Sequence, residues 1–170
     1  MQVALRKLLK ADNYVLTQLA NNKKVANNLR DFFPHPYTLK DADFFIELTQ
    51  NENSQSTFAI TIDKELCGVI SIDLKNDVYK KNGEIGYWLG ESYWGKGIAT
   101  KAVQLIINYG FNKLNLERIF AGVFSFNKPS MKVLENNNFT KEAIFKNIIS
   151  KEEKLFDEHQ YSIIKNDFLS

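Results

Sequence analysis

Two glycines, Gly95 and Gly97, stand between an apolar run and the start of a helical pattern, in the stretch EIGYWLGESYWGKGIAT (84–100). The first N–H groups of a helix have no acceptor within the helix, and the helix dipole favours negative charge there. Small residues let a ligand approach such backbone closely, and Ala99 follows at the same spacing. The pattern Gly95-x-Gly97-x-Ala99 therefore predicts a phosphate-binding loop. The same residues would also suit a tight turn that packs a helix on a strand without any ligand.

The common nucleotide-binding motifs do not describe this loop. A Walker loop requires G-x-x-x-x-G-K-[ST], which is absent. A dinucleotide-binding loop requires a third Gly or Ala at position 100, which is Thr100 here, and it opens the first βαβ unit. This loop instead follows strands that are predicted to form an antiparallel meander. The sequence therefore disfavours both a Walker loop and a dinucleotide-binding loop.

The periodicity of the apolar residues predicts the elements that position the loop. Short apolar runs indicate strands, and a spacing near 3.6 residues indicates helices. The predicted strands are about 3–9, 57–63, 65–74, 83–91, 116–124, 139–149 and 155–165, and the helices about 12–21, 39–51, 97–112 and 128–137. The order β-α-α-β-β-β-α-β-α-β-β predicts an α/β (α+β) fold. A mixed, mostly antiparallel sheet of about seven strands would be flanked by about four helices.

Local signals mark several boundaries of these elements. Thr38 is predicted to cap the second helix in a capping box with Asp41. Lys64 lies in the predicted turn of a hairpin, and Asn138 takes the left-handed position after the last helix. Cys67, the single cysteine, lies in the apolar run ELCGVISI and is predicted to be a buried small hydrophobe.

Composition limits the class of protein. The 170 residues fit one domain, expected over 1–170, and 22 basic against 20 acidic residues leave a net charge of +2. This balance argues against a nucleic-acid partner. One cysteine and two histidines provide no metal-ligand cluster. Neither a membrane span nor a signal peptide is expected, so the predicted location is a reducing cytoplasm.

Three stretches, EIGYWLGES, YWGKGIAT and VFSFNKPSMKVLENNNF, together resemble the GNAT acetyltransferases. The most similar branch contains the bacterial ribosomal-protein N-terminal acetyltransferases (RimJ/RimL-type), and the resemblance extends over nearly the whole chain. It implies a sheet that splays open beside the strand leading to the glycine loop, with acetyl-CoA in the opening. It also implies direct transfer of the acetyl group, in a ternary complex, to a primary amine. The acceptor would be a protein N-terminal α-amine or a small amine.

The resemblance implies cofactor contacts for individual residues. The pyrophosphate is expected on the backbone of Gly95, Lys96, Gly97, Ile98, Ala99 and Thr100, and the pantetheine on the main chain of Trp88, Leu89 and Gly90. Asn127 would contact the pantetheine, although it is also suited to be a helix N-cap. The wider family often has Gln or Arg three residues before the second loop glycine, where this chain has Trp94.

Acetyl transfer to an amine requires a base, a polarised thioester carbonyl and a proton donor for the thiolate. Glu84 and Glu91 lie at the two ends of the apolar run and are alternative bases, with solvent as the third possibility. Either carboxylate could instead be an ordinary solvated charge. The Tyr that many relatives use as the donor is Leu134 here, so Ser130 is the expected donor, as in the RimJ/RimL-type branch. A backbone N–H of the strand before the loop would polarise the carbonyl.

The aromatic segment DFFPHPYTLKDADFF (31–45) corresponds to the wall of the acceptor site in the family. Phe33, His35 and Tyr37 are the candidate substrate contacts. The alternative is that the aromatic side chains pack in the core and that His35 is a surface loop residue.

Two other classes of function are alternatives to acetyl transfer. A non-catalytic module of the same fold could bind and sense acyl-CoA, but the presence of Glu84, Glu91 and Ser130 favours catalysis. A nucleic-acid-binding domain is disfavoured by the charge balance. No metal cofactor is expected, and a homodimer is compatible with the resemblance.

Overall fold

The computed structural model describes residues 2–51 and 56–169. The strands are β1 (Val3–Arg6), β2 (Thr57–Ile62), β3 (Glu65–Leu74), β4 (Asn82–Leu89), β5 (Arg118–Phe124), β6 (Thr140–Lys151) and β7 (Lys154–Ile164). The α-helices are α1 (Asn13–Ala20), α2 (Lys23–Asn27), α3 (Leu39–Gln50), α4 (Ile98–Asn112), α5 (Lys128–Glu135) and α6 (Lys165–Leu169). The seven strands follow the order β1-β2-β3-β4-β5-β7-β6. The pairs β1–β2, β2–β3, β5–β7 and β6–β7 are antiparallel, and β4–β5 is parallel. The predicted fold class is therefore confirmed.

The chain forms two compact units. One contains the chain up to Ser71 together with Tyr87–Ala102, and the other contains Ile72–Gly86 and the chain from Val103 onward. Strands β3 and β4 and helix α4 contribute residues to both units.

The core of the first unit lies where α1 and α3 cover β2 and β3. Both helices present small and branched apolar residues at helical spacing, including Leu16 and Ala20 from α1 and Ala42 and Ile46 from α3. The predicted capping box holds the start of α3. The Thr38 N–H donates to the Asp41 carboxylate over 2.8 Å, and the Asp41 N–H donates to Thr38 Oγ1 over 3.3 Å.

The β2–β3 hairpin turns at Asp63 and Lys64, which have φ angles of 48° and 78°. Positive φ at both central residues is the backbone of a type I′ turn, which suits the twist of a two-residue hairpin. Cys67 on β3 is fully buried, and burial raises the pKa of its thiol to about 11. The predicted hairpin and the predicted buried cysteine are both confirmed.

The second unit packs apolar residues of α4 and α5 against its strands. Gly110 of α4 allows close packing, because a Cβ there would lie 2.7 Å from a methyl group of Ile119 on β5. Met131 and Leu134 are the buried residues of α5. Asn138 follows that helix with φ 62°, as predicted.

Several predicted boundaries and the predicted number of helices were wrong. Strand β1 ends at Arg6 rather than residue 9, because Asp12 accepts hydrogen bonds from Arg6 and from the Leu9 N–H and turns the chain toward α1. Helices α2 and α6, of five residues each, bring the number among the described residues to six instead of about four. Strand β4 ends at Leu89 rather than residue 91, because a 3-10 turn begins at Glu91.

Candidate active site

The glycine loop has a backbone that other residues rarely adopt. Gly95 and Gly97 have φ angles of 71° and 75°, and a Cβ at either position would meet no atom within 4 Å. Glycine is therefore required by conformation and not by close packing. Helix α4 begins at Ile98, and its first turn closes with a hydrogen bond from the Lys101 N–H to the Gly97 carbonyl over 3.1 Å. Open space beside a helix N-terminus fits a phosphate group.

Contacts on the preceding side hold this loop in place. The 3-10 turn Glu91–Tyr93 closes with a hydrogen bond from the Tyr93 N–H to the Gly90 carbonyl. The Trp94 indole Nε1–H donates to the Leu89 carbonyl over 2.9 Å. Trp94, the residue that departs from the wider family, thus ties the loop back to the end of β4. These two hydrogen bonds restrain the loop, and a restrained loop lowers the entropic cost of binding a ligand.

The end of β4 lies unusually close to β3. The Gly90 N–H donates to the Cys67 carbonyl over 2.9 Å, and the Trp88 carbonyl oxygen lies only 2.2 Å from where a Cβ of Gly68 would stand. Backbone groups of successive strand residues point to opposite edges. The Trp88 carbonyl and the Gly90 N–H both point toward β3. The N–H of Leu89, the residue between them, therefore points away from β3.

Glu91 is engaged by the start of α2. Its carboxylate accepts a hydrogen bond from Asn22 Nδ2 over 2.8 Å and forms a short ion pair with Lys24. The Asn22 side-chain oxygen in turn caps α2 by accepting from the Lys24 N–H over 2.8 Å. The hydrogen bond from Lys24, followed by that from Asn22, lowers the pKa of Glu91. A lowered pKa makes this carboxylate a weaker base.

Glu84 lies in the second unit and is better shielded from water. Its side chain is 19% exposed and forms a 2.7 Å ion pair with Lys75. The Lys75 ammonium also lies 5.4 Å from the centre of the Phe120 ring. Glu84 pairs with Phe120 as the last of the three β4–β5 pairs, and both strands continue beyond this point.

Asn127 and Ser130 also lie in the second unit, at the start of α5. The Asn127 side-chain oxygen accepts a hydrogen bond from the Ser130 N–H over 3.3 Å, so Asn127 is an N-cap, as the sequence suggested. The cap uses the amide oxygen of Asn127, and its Nδ2 group is a hydrogen-bond donor. Ser130 is half-buried in the first turn.

The aromatic segment packs against the end of β4. The Phe33 ring lies 5.1 Å from the Tyr37 ring and 5.6 Å, edge to face, from Trp88. Tyr37 is only 5% exposed, and burial raises its pKa to about 12. His35 is exposed. The first unit thus brings Phe33 and Tyr37 to the strand that leads to the glycine loop, while His35 faces solvent.

The predicted site residues divide between the units. The loop, the main chain of 88–90, Glu91 and the aromatic segment belong to the first unit, and Glu84, Asn127 and Ser130 belong to the second. The sequence analysis missed Gly68, Asn22 and Lys24. Only Gly68 had a recognisable signal, since glycine inside a strand often marks a close backbone approach.

The described residues hold no group of three or more His, Cys, Asp or Glu side chains arranged to bind a metal ion. None of the helices in residues 2–51 and 56–169 is long and apolar enough to cross a membrane.

Comparison with known proteins agrees with this geometry. Residues 2–140 match the family model described as an acetyltransferase (GNAT) domain. The uncharacterised N-acetyltransferase p20 of Bacillus licheniformis is 34% identical, covering 98% of this chain and 95% of that protein. The spermidine N(1)-acetyltransferase of Escherichia coli is 30% identical, over 83% of this chain and 74% of that protein. The structure of Mycobacterium smegmatis RimJ in complex with CoA-disulfide shares the fold, with a TM-score of 0.87 at 22% identity over 99% of this chain and 84% of that chain. The chain belongs to the GNAT family and is an acetyl-CoA-dependent N-acetyltransferase.

Proposed function

We propose that this chain is one catalytic domain that transfers the acetyl group of acetyl-CoA to a primary amine, either a protein N-terminal α-amine or a small amine. The observation that carries the proposal is the loop at the start of α4, where Gly95 and Gly97 hold positive φ angles beside open space. Its backbone fits a pyrophosphate group, and acetyl-CoA supplies a thioester whose carbonyl carbon accepts the amine.

The pyrophosphate would be bound by backbone N–H groups along Gly95, Lys96, Gly97, Ile98, Ala99 and Thr100. The N–H groups of Ile98 and Ala99 lie in the first turn of α4, where a helix offers them no acceptor. The positive end of the helix dipole adds a favourable interaction with the phosphates. Lys96, exposed between the two glycines, provides a further positive charge.

The pantetheine would lie along the main chain of Trp88, Leu89 and Gly90, and Asn127 would bind it through Nδ2. Among these three residues, Leu89 is the one whose N–H points away from β3. We therefore assign the Leu89 N–H as the donor that polarises the thioester carbonyl, in the manner of an oxyanion hole.

Glu84 is the base in this proposal, and Ser130 is the proton donor. The amine gives up a proton toward Glu84 and its nitrogen bonds to the carbonyl carbon. The carbon–sulfur bond then breaks, and the thiolate takes a proton from Ser130, which is reprotonated from solvent. Glu91 is a positioning residue, because its carboxylate is bonded to Asn22 and Lys24 and its pKa is lowered. Phe33, His35 and Tyr37 would lie on the acceptor side.

The test is an acetyl-transfer assay with acetyl-CoA and two acceptors, a short peptide with a free N-terminus and spermidine. We expect release of the CoA thiol to depend on an acceptor and to match the amount of acetylated product found by mass spectrometry. Equal activity on both would define a broad specificity. A folded protein that binds acetyl-CoA but acetylates neither acceptor would contradict the proposed acceptor class.

A further inference from the structure

Glu158 of β7 lies across β5, over a position where the chain has no side chain. The carboxylate carbon of Glu158 is 2.7 Å from the point where a Cβ of Gly122 would stand, and both its oxygens are 2.9 Å from that point. Glu158 pairs with Phe124, and Gly122 pairs with Gln160. The side chain therefore reaches diagonally to its neighbour strand, into space that exists only because residue 122 is glycine.

This arrangement costs stability in two ways. Glycine in the interior of a strand loses conformational entropy and packs poorly. A carboxylate that is half-buried against a sheet also loses part of its hydration. Proteins tend to accept such losses of stability at residues that take part in binding or catalysis.

The face that carries Glu158 also carries the proposed base. Side chains of residues directly opposite in a sheet share one face, so Glu158 and Phe124 lie on the face of Phe120 and Gly122, two and four residues earlier on β5. Glu84 pairs with Phe120 and therefore lies on that face too. Strand spacing places the Cα atoms of Glu84 and Gly122 about 8 Å apart.

Two glycines lie on this face beside Glu84 and Glu158, and the Glu158 carboxylate covers one of them, Gly122. Gly86 lies two residues after Glu84 on β4, so it is on the same face, and it is exposed. Gly122 lies two residues after Phe120 on β5, on that face as well. The paired part of β4 and β5 ends at Glu84 and Phe120, just before these glycines. A slim cationic group can thus lie on this face with a carboxylate on either side.

We propose that Glu158 is a substrate-binding residue whose carboxylate pairs with an ammonium group of the acceptor. This inference rests on the proposed function, in which Glu84 accepts the proton of the reacting amine. Glu158 then supplies the negative charge that selects a cationic acceptor and holds it on the open face. Its contribution is to acceptor affinity and not to acetyl-CoA binding.

The first test is steady-state kinetics of Glu158→Gln at saturating acetyl-CoA, with spermidine and with the free peptide as acceptors. We expect the acceptor KM to rise at least tenfold and kcat to change less than threefold, with an unchanged acetyl-CoA Kd. The matched control is Glu153→Gln, which removes one carboxylate charge from the exposed turn between β6 and β7. The control variant should keep the wild-type KM.

The second variant, Gly122→Ala, moves the same carboxylate without changing the charge. The three atoms nearest to its Cβ all belong to the end of the Glu158 side chain, which can rotate away, so the protein should fold. We expect a similar rise in KM. The double variant Gly122→Ala/Glu158→Gln should have the KM of Glu158→Gln alone, because both changes act through one carboxylate.

The outcomes separate this inference from the proposed function. An active wild type in which Glu158→Gln keeps the acceptor KM, or loses only stability, overturns the role of Glu158 and leaves the function standing. A rise in KM that Glu153→Gln reproduces would show a general charge effect and also overturns it. A wild type that binds acetyl-CoA but acetylates neither acceptor refutes the acceptor class, and the role of Glu158 falls with it.

Discussion

Glu84 and Glu91 are two carboxylates whose surroundings give them different chemistry. Glu91 is bonded to Asn22 and Lys24 at the start of α2, and these bonds lower its pKa. Glu84 is more shielded, next to the ion-paired Lys75 and the Phe120 ring. A half-buried carboxylate near the point where two strands part is the better candidate for proton transfer.

Substitution of each carboxylate by its amide tests this assignment. We expect Glu84→Gln to lower kcat/KM about 100-fold, at the lower end for general-base catalysis, and to flatten the acid limb of the pH–rate profile. Glu91→Gln should retain that limb, since the Glu91 carboxylate is bonded to Asn22 and Lys24 and its pKa is lowered. An acid limb that disappears only in Glu91→Gln would reverse the two roles, and one that survives in both would make solvent the base.

Ser130 is tested by removing its hydroxyl group. Its N–H is bonded to the Asn127 cap, so Ser130→Ala should leave α5 intact. We expect kcat to fall about 10- to 100-fold because the thiolate loses its proton donor. Acetyl-CoA affinity should stay within about twofold, because the proposed phosphate contacts are in the glycine loop and not at Ser130. Ser150→Ala, an exposed serine on β6, is the control. Wild-type turnover in Ser130→Ala would remove Ser130 from the mechanism.

At the scale of elements, β3 and the end of β4 form the part of the site most sensitive to packing. Gly68 on β3 lies against the Trp88 carbonyl, and that oxygen belongs to backbone, which cannot rotate away. We expect Gly68→Ala to destabilise the protein by about 1–3 kcal/mol in urea unfolding, in the range measured for overpacking. It should also weaken acetyl-CoA binding, because the Leu89 N–H moves with the strand.

Gly122→Ala is the natural comparison for this variant. It places the same methyl group in a strand interior, but against the end of a flexible side chain. It should cost less stability than Gly68→Ala. Equal stability of Gly68→Ala and the wild type would show that β3 and β4 are not held as closely as the geometry indicates.

Elements governed by local signals were predictable from the sequence. The Thr38 capping box, the turn at Lys64 and the left-handed Asn138 each depend on neighbours within a few residues, and all three are present. The glycine loop was predictable for the same reason. Helix α2 was missed because five residues are too few to show a helical periodicity. Its N-cap, Asn22, also donates a hydrogen bond to Glu91, which is far along the chain and gives no local signal.

The contacts that shape the site were less predictable. Gly68 meets Trp88 and Gly122 meets Glu158 only after the strands pair, so a glycine inside a strand can mark a close approach but cannot reveal its partner. The same holds for Glu91, whose partners lie 67 and 69 residues away. The sequence therefore indicated which residues to consider, and the tertiary contacts show what surrounds each of them.

At the scale of the whole molecule, His159 gives stability a dependence on pH. It is 8% exposed on β7, and its Nδ1 has no hydrogen-bond partner among the described residues. Burial lowers its pKa, the charges of Lys141, Lys128 and Lys146 lower it further, and Asp157 opposes them. The folded state thus binds a proton at His159 less readily than the unfolded state does.

The sign of the pH effect follows from this difference. The unfolded histidine takes up a proton as the pH falls through its ordinary pKa near 6.5, so His159 favours unfolding below that pH and has no such effect above it. We expect His159→Gln to lose less stability than the wild type between pH 7.5 and pH 5 in urea unfolding. Parallel losses in both proteins would show that His159 titrates alike in the folded and unfolded states.

The most direct test of the central claim is a calorimetric titration of the wild type and of Gly97→Asp with acetyl-CoA, with NAD and ATP as controls. We expect the wild type to bind acetyl-CoA selectively with micromolar affinity. Gly97→Asp should bind it at least tenfold more weakly while keeping its fold by circular dichroism, because the new side chain brings a negative charge into the phosphate cradle and strains a backbone at φ 75°. Equal affinity in the two proteins, or no binding by folded wild type, would contradict the assignment of Gly95–Thr100 as the cofactor loop.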